Sequence, residues 1–290
     1  MFSGALSALI TPFRDGAVDE KAFRDLIEWQ IAAGVDGIVP CGSTGESATL
    51  SHEEHERVIK IAVEQARRRV PVVAGTGSNA TAEAIRLTAH AREVGADAVL
   101  MISPYYNKPT QDGIYQHYKA VSAAVDIPIV VYNIPGRTGS NIAPETIARL
   151  AEIKRIVAVK EASGVMDQTS DILRLCGDRI AVLSGDDSLT LPIMALGGKG
   201  VIATISNVMP RDIHDLAAAA QAGDFVRARE VHYRMLPLMR ALFLETNPIP
   251  VKQACALMGR CQNEVRLPLV PMTAGPADRL RTVMNDLRLI

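Results

Sequence analysis

The chain has 290 residues, of which 48 % are hydrophobic and 22 % are charged, and its formal net charge is −1. This composition is typical of a soluble globular protein with one large domain or two smaller ones. Because the chain carries no surplus of basic residues, nucleic acid and anionic membranes are disfavoured as partners, and a small molecule is expected instead.

The N-terminal sequence MFSGALSALITPFRDG lacks the basic start and the long apolar run of a signal peptide. No segment approaches the roughly 18 uninterrupted apolar residues that span a bilayer. The cysteines at positions 41, 176, 255 and 261 are scattered and include no CxxC pair. They are predicted to be free thiols in a reducing compartment, which indicates a cytoplasmic protein.

Short apolar runs recur along the chain, and each is followed by a stretch with helical periodicity. The runs are rich in Val, Ile and Ala and are continuous, which is typical of parallel strands buried on both faces. They occupy residues 5–11, 37–40, 70–75, 97–103, 127–132, 155–160, 180–185 and 200–204. In the stretches between them, apolar residues fall at helical spacing. Ser51 and Glu54 fit a capping box, and Gly34 and Gly95 are predicted to end helices.

Eight strand–helix units spaced about 25–30 residues apart predict an α/β fold, the (β/α)8 TIM barrel, which takes about 250 residues. The barrel is expected to span residues 1–222, with its last helix at 205–222, and residues 223–290 to form a small C-terminal helical region. A doubly wound sheet is the alternative, but the sequence TPFRDG after the first strand is not a glycine-rich phosphate turn.

Active residues of such barrels lie at the carboxyl ends of the strands. Lys160 ends the apolar run at 155–160, so its side chain is expected to point into the barrel mouth, where burial lowers the pKa of the amine. A neutral amine can attack a ketone and form an imine. The other interpretation is a lysine paired with a carboxylate such as Glu161 or Asp186. Lys252 is the only rival lysine, and it lies outside the barrel strands.

Other polar groups also follow strands. The sequence GSTG at residues 42–45 can form a nest of backbone N–H groups for a carboxylate, although a plain turn is equally compatible with it. Tyr132 and Tyr106 can relay protons beside an imine, together with Thr44, or can be packing residues. Arg137 can bind a carboxylate bidentately or can be an exposed loop residue.

No metal site is predicted. His52 and His55 are three residues apart, whereas the HExxH motif of zinc enzymes requires four. Asp186 and Asp187 are adjacent, so their carboxylates are expected to point in different directions.

Together these clusters resemble, essentially from end to end, the dihydrodipicolinate synthase / N-acetylneuraminate lyase family of pyruvate-dependent class I lyases. The segments that carry the resemblance are GSTGESATL (42–50), GTGSNATAEAI (75–85), PYYNKPTQDGIYQHYKA (104–120), YNIPGRTG (132–139), KEASG (160–164), LSGDD (183–187) and NPIPVK (247–252). Within the family, they point to the branch that condenses pyruvate with L-aspartate 4-semialdehyde in lysine and diaminopimelate biosynthesis.

The resemblance implies a role for individual residues. Lys160 would form the imine with pyruvate, without any cofactor, and Tyr132 would be the general acid and base in a relay with Thr44 and Tyr106. The remaining substrate contacts would be Ser43 and Thr44 for the pyruvate carboxylate, Arg137 for the carboxylate of the semialdehyde, and the backbone of Gly185 and Ile202. Ser43 departs from the threonine of many relatives but keeps the hydroxyl.

The resemblance also implies a homotetramer built as a dimer of dimers, in which Tyr106 enters the neighbouring subunit's site. An L-lysine effector site is expected at that interface. Its positions would be Ser47, Ala48, His52, His55, Asn79, Glu83 and Tyr105. Two rival functions are a sister lyase that cleaves a sugar acid or a 2-keto-3-deoxy acid, and a catalytically idle regulatory barrel.

Overall fold

The computed structural model describes residues 2–290 of the chain. Eight parallel strands form one sheet, and two short antiparallel strands form a hairpin that the sequence pattern did not predict. The strands are β1 (Gly4–Ala8), β2 (Phe13–Arg14), β3 (Ala17–Val18), β4 (Gly37–Val39), β5 (Val73–Gly75), β6 (Ala98–Ile102), β7 (Ile129–Asn133), β8 (Ile156–Glu161), β9 (Ala181–Ser184) and β10 (Gly200–Ala203).

The sheet order is β4-β1-β10-β9-β8-β7-β6-β5, so β4 and β5 are its two edges. A parallel bridge between Ile38 and Val72 joins these edges, and the Gly75 N–H donates to Pro40 O at 2.9 Å. The sheet therefore closes on itself, and the predicted (β/α)8 barrel is confirmed. Closure leaves no exposed barrel edge for another strand to pair with.

Helices connect the strands and cover the outside of the barrel. They are α1 (Glu20–Ala33), α2 (His52–Ala66), α3 (Thr81–Glu93), α4 (Gln111–Ala124), α5 (Pro135–Thr138), α6 (Pro144–Leu150), α7 (Met166–Cys176), α8 (Thr190–Ala195), α9 (Pro210–Gln221), α10 (Phe225–Ala241), α11 (Ile249–Leu257) and α12 (Ala274–Asp286). No helix within residues 2–290 is both long and apolar enough to cross a membrane.

The predicted helix ends agree with the structure. Ser51 caps α2 in a reciprocal capping box with Glu54. Gly34 follows α1 in the left-handed conformation, with φ of 95°, which a glycine adopts at little steric cost. Gly95 has a φ of 90° and lies one residue beyond Val94, the C-cap of α3.

Side chains alternate between two apolar layers along each barrel strand. On β7, Val130 and Tyr132 belong to the inner cluster of the barrel, whereas Ile129 and Val131 pack in the larger cluster between strands and helices. Tyr132 is paired in register with Lys160 on β8. Lys160 is two residues beyond Ala158, which is also in the inner cluster, so its side chain has the inward orientation.

The C-terminal helices predicted after the barrel are present. Helix α10 packs along α9 and also contacts α12, and α11 packs on α12 and on the turn Ile205–Asn207. The boundary at residue 222 stays a prediction. The segment between α10 and α11 returns to the carboxyl ends of the strands, where Asn247 contacts Thr44.

Candidate active site

Lys160 is buried at the carboxyl end of β8, with 6 % of its surface exposed. Its Nζ lies 4.4 Å from the centroid of the Tyr132 ring. Burial lowers the pKa of Lys160 to about 8, although the nearby Asp187 carboxylate opposes the shift. A larger fraction of this amine is then neutral at pH 7 than of an exposed lysine.

The two carboxylates that the sequence offered as partners for Lys160, Glu161 and Asp186, are engaged elsewhere. Glu161 accepts hydrogen bonds from Asn133 Nδ2 at 3.0 Å and from the Ser163 N–H at 2.8 Å. Asp186 accepts from the N–H and the hydroxyl of Ser188. Within residues 2–290, Lys160 forms no ion pair, so the interpretation of a merely paired lysine is not supported.

Asp187 points away from Asp186, as the sequence predicted for two adjacent carboxylates. It is buried and accepts hydrogen bonds from the N–H groups of Thr204, at 3.0 Å, and Ile205, at 2.8 Å. Burial raises the pKa of Asp187 to about 7, although both N–H groups oppose this. The carboxylate fixes the end of β10 next to the site.

Gly185 makes room for the lysine. A Cβ at this position would lie 2.7 Å from Ala162 Cβ and 3.1 Å from Lys160 Cε. Any larger residue at position 185 would therefore collide with the Lys160 side chain. Glycine, which has no Cβ, lets the backbone after β9 approach Lys160 this closely.

Tyr132 is buried beside Lys160 on the neighbouring strand. Burial raises the pKa of its phenol to about 12, against the opposing influence of Arg137 and Ser43. The phenol is therefore protonated at neutral pH, so it can donate a proton and recover it.

The turn at residues 42–47 is held by its own backbone. The N–H groups of Gly45 and Ser47 donate to Gly42 O, and the N–H of Glu46 donates to Ser43 O. The N–H groups of Ser43 and Thr44 have no acceptor among residues 2–290. They are available to an anion, which is the geometry expected of a nest.

Thr44 is buried and connects this turn to the C-terminal region. Its Oγ1 accepts a hydrogen bond from Asn247 Nδ2 at 3.0 Å and lies 3.5 Å from Thr204 Oγ1. No hydrogen bond joins Thr44 to Tyr132 in the part of the chain that the structure describes.

Arg137 lies on the short helix α5, directly after β7. Its Nη2 donates to Asn247 O at 2.7 Å. Asn247 thus touches both Arg137 and Thr44, although sequence reasoning gave it no role. The only signal was its place at the start of the segment NPIPVK.

These groups surround a cavity of about 50 Å³ at the barrel mouth. Of the residues predicted to be catalytic or to bind substrate, it is lined by Ser43, Thr44, Tyr132, Arg137, Lys160 and Gly185. Thr204, Phe243 and Asn247 also line it and were not predicted. Ile202 is buried in the inner barrel cluster and does not line the cavity.

Tyr106 is the one predicted catalytic residue that does not reach this cavity in its own chain. It is 88 % exposed, the largest exposed fraction among the large hydrophobic side chains. Its backbone has a φ of 72°, a left-handed conformation that is uncommon for a non-glycine residue. The loop thus presents the Tyr106 phenol outwards.

A second cavity, of about 400 Å³, adjoins the first and shares Ser43, Tyr132 and Arg137 with it. Six of the seven predicted effector positions line it, namely Ser47, Ala48, His52, His55, Glu83 and Tyr105. The seventh, Asn79, donates to Tyr105 O at 3.1 Å.

The polar groups of this larger cavity are partly paired with each other. His52 Nε2 lies 2.8 Å from Glu83 Oε1, and the Ser78 hydroxyl donates to the other Glu83 oxygen. Burial lowers the pKa of His55 to about 4, so this imidazole is neutral at pH 7.

Comparison with known proteins finds similarity over essentially the whole chain. The model of the dihydrodipicolinate synthetase family matches residues 1–287. A protein of Syntrophus aciditrophicus described as 4-hydroxy-tetrahydrodipicolinate synthase is 60 % identical over 290 residues, which is all of both chains.

Two solved structures are also similar over nearly their whole length. The chloride-inhibited dihydrodipicolinate synthase of Acinetobacter baumannii, complexed with pyruvate, has a TM-score of 0.98 and 43 % identity, with both chains fully covered. The Cyanidioschyzon merolae enzyme with lysine bound has a TM-score of 0.97 and 40 % identity, covering 100 % of this chain and 99 % of that one.

Proposed function

Because the chain belongs to the dihydrodipicolinate synthetase family, we infer that it is a lyase that condenses pyruvate with L-aspartate 4-semialdehyde to give 4-hydroxy-tetrahydrodipicolinate. This reaction serves lysine and diaminopimelate biosynthesis. The observation that carries the inference is a buried lysine of lowered pKa beside a protonated tyrosine at the mouth of the barrel.

The residues account for the chemistry as follows. The neutral Lys160 amine attacks the ketone of pyruvate, and loss of water gives an iminium. The iminium withdraws electrons from the methyl group, so a proton can leave it and an enamine forms. The enamine carbon attacks the aldehyde, and attack of the amino group of the adduct on the imine carbon releases Lys160. Since the lysine itself provides the electron sink, we propose that no separate cofactor is needed.

We assign Tyr132 as the acid and base of these steps, because its phenol is protonated and adjoins the amine. The unpaired N–H groups of Ser43 and Thr44 suit the pyruvate carboxylate, and Gly185 borders the lysine. Ile202 acts, on this proposal, through its backbone only. Ser43 lines the same cavity as Lys160 and its N–H has no acceptor among residues 2–290, so we propose that the missing methyl group leaves the anion site intact.

Arg137 favours a short aldehyde that carries a carboxylate. Its guanidinium lies at the cavity rim and is fixed to Asn247 O, so it can offer its remaining N–H donors to that carboxylate. A sugar acid would instead require several hydroxyl-binding groups around a longer chain.

A turnover assay with a series of aldehydes tests this function. The purified chain is mixed with pyruvate and L-aspartate 4-semialdehyde, and the cyclic product is measured by a coupled reductase. Cleavage of N-acetylneuraminate and of a 2-keto-3-deoxy acid is measured in parallel. We expect kcat/KM for the semialdehyde to exceed that for either acid by at least about 100-fold. Turnover of neither class would support the idle barrel instead.

We propose that Tyr106 completes the site of a neighbouring subunit. Its phenol is exposed and points away from its own Lys160 cavity, whereas the proton relay requires a hydroxyl near Tyr132. The active unit is then at least a dimer, in agreement with the homotetramer implied by the resemblance. Sedimentation at assay concentration measures this state, and a fully active monomer would contradict the proposal.

We propose that L-lysine binds in the 400 Å³ cavity and inhibits the enzyme. Glu83 and the His52 imidazole suit the charged ends of an amino acid. Because Tyr132 and Arg137 also line this cavity, a bound L-lysine can affect these two active-site residues. We expect half-inhibition at about 1 mM L-lysine or below. Glu83→Ala should raise that concentration at least about tenfold.

The matched control for the effector site is Glu93→Ala, which removes an exposed carboxylate at the other end of α3. This variant should be inhibited like the wild type. A turnover rate that does not change as the L-lysine concentration rises would contradict the proposal. Equal effects of Glu83→Ala and Glu93→Ala on inhibition would show that L-lysine binds outside this cavity.

A further inference from the structure

A buried ion pair below the candidate active site takes no part in the proposed chemistry. Lys252 Nζ lies 2.5 Å from Glu46 Oε1, and the two side chains are 0 % and 1 % exposed. Lys252 is in the middle of α11, and Glu46 belongs to the turn that carries Ser43 and Thr44. Sequence reasoning treated Lys252 only as a rival to Lys160.

Both charges have further partners. Lys252 Nζ also donates to Glu264 O at 2.8 Å and lies 3.9 Å from the centroid of the Phe13 ring. The second oxygen of Glu46 accepts from the N–H of Arg266 at 3.0 Å. The turn is thus tied to α11 and to the segment around residue 265.

Stability alone is a weak reason for such a pair. Removing two charges from water costs about as much as their attraction returns, so a well-packed apolar pair is often equally stable. What the pair does supply is a defined position, because two buried charges in contact, each with a further hydrogen bond, restrict how the backbones that carry them can be arranged.

Helix α11 and the residues before it meet the turn at two points. Asn247 Nδ2 binds Thr44 Oγ1 just before the helix, and Lys252, five residues further on, binds Glu46. Asn247 O also holds Arg137. The same segment therefore touches both groups that face substrate carboxylates.

We propose that the Glu46–Lys252 pair is a positioning device that sets the turn at residues 42–47 for binding of the pyruvate carboxylate. The proposal rests on the function given above, in which Ser43 and Thr44 hold that carboxylate. The pair itself touches no substrate. Its loss should displace the carboxylate site relative to Lys160, and the binding of pyruvate should suffer more than the later chemical steps.

The test uses the full-length chain and the double variant Glu46→Gln/Lys252→Met. This variant removes both charges together, keeps an oxygen for the Arg266 N–H, and replaces lysine by an unbranched side chain of similar length. We expect it to fold, its KM for pyruvate to rise about tenfold and its kcat to change by less than about threefold. Lys252→Met alone leaves Glu46 buried and unpaired, so it should be less stable and have at least as large a KM.

Cys255→Ala is the matched control. Cys255 is fully buried on the same helix, and its thiol contacts Asn207 O rather than the turn. The control should lower the melting temperature without raising the KM for pyruvate. Glu46→Gln alone leaves the buried Lys252 ammonium without its counter-charge, so it should be less stable than the double variant and raise the KM for pyruvate at least as much.

Two outcomes would overturn the proposal. The first is a folded double variant whose KM for pyruvate is within twofold of the wild type. The second is unfolding of the double variant while Cys255→Ala folds, which would make the pair a determinant of the fold rather than of pyruvate binding. Failure of the proposed function is a separate result, since wild-type protein would then not turn over pyruvate with L-aspartate 4-semialdehyde.

Discussion

Lys160→Ala is expected to reduce turnover by at least about 10,000-fold, the loss typical when a covalent catalyst is deprived of its nucleophile. Among residues 2–290, no other lysine lines the cavity with Tyr132, and the other buried lysine, Lys252, is held by Glu46 and Glu264. Treatment of the wild type with pyruvate and borohydride should add one reduced pyruvate to Lys160, as seen by peptide mass spectrometry.

Lys154→Ala is the control for this experiment, because Lys154 is exposed in the loop just before β8 and has no contact with the cavity. Its adduct and its activity should match the wild type. A wild-type enzyme that turns over without any trapped adduct would exclude the imine. An adduct that persists in Lys160→Ala would assign it to a different lysine.

Replacing either relay tyrosine by phenylalanine is expected to lower kcat by about 100-fold or more, within the range typical of general acid–base residues. Tyr132→Phe removes the phenol beside Lys160 in the same chain, whereas Tyr106→Phe removes the exposed phenol proposed to serve a neighbour. Both variants should still bind pyruvate, because neither hydroxyl holds its carboxylate. Steady-state kinetics separate kcat from KM.

Mixed subunits distinguish the two tyrosines. Lys160→Ala and Tyr106→Phe chains are co-expressed with different affinity tags, and the mixed species is purified on both tags. One site of each mixed dimer then combines an intact Lys160 with the partner's Tyr106, so activity should return. The pair Lys160→Ala with Tyr132→Phe should stay inactive, since both residues act within one chain. Absence of recovery in the first mixture would place Tyr106 in its own chain's site.

The barrel and the inward orientation of Lys160 could be predicted from local patterns alone. Continuous apolar runs at regular spacing indicate buried parallel strands, and a two-residue alternation along β8 places Lys160 on the same side as Ala158. The capping box of Ser51 and Glu54 is equally local, since it depends on residues three apart. The hairpin of β2 and β3 was missed because two-residue strands are too short for any periodicity.

The tertiary structure decided which groups surround Lys160. Burial, which sets the pKa of Lys160 and Tyr132, depends on all eight strands closing around them. Asn247 could not be assigned from the sequence, because it meets Thr44 across 203 positions of the chain. The pairing of Glu46 with Lys252 could not be assigned from the sequence either, because only the fold brings these two distant residues into contact.

The sequence by itself therefore determined the strand and helix order, the barrel and the residue types at the strand ends, because those depend on nearest neighbours and on period. Only the tertiary structure decided which polar groups are paired, which N–H groups stay open and which phenol faces outwards. These properties arise from contacts between segments far apart in the chain. A local sequence pattern contains no information about the free energy of such contacts.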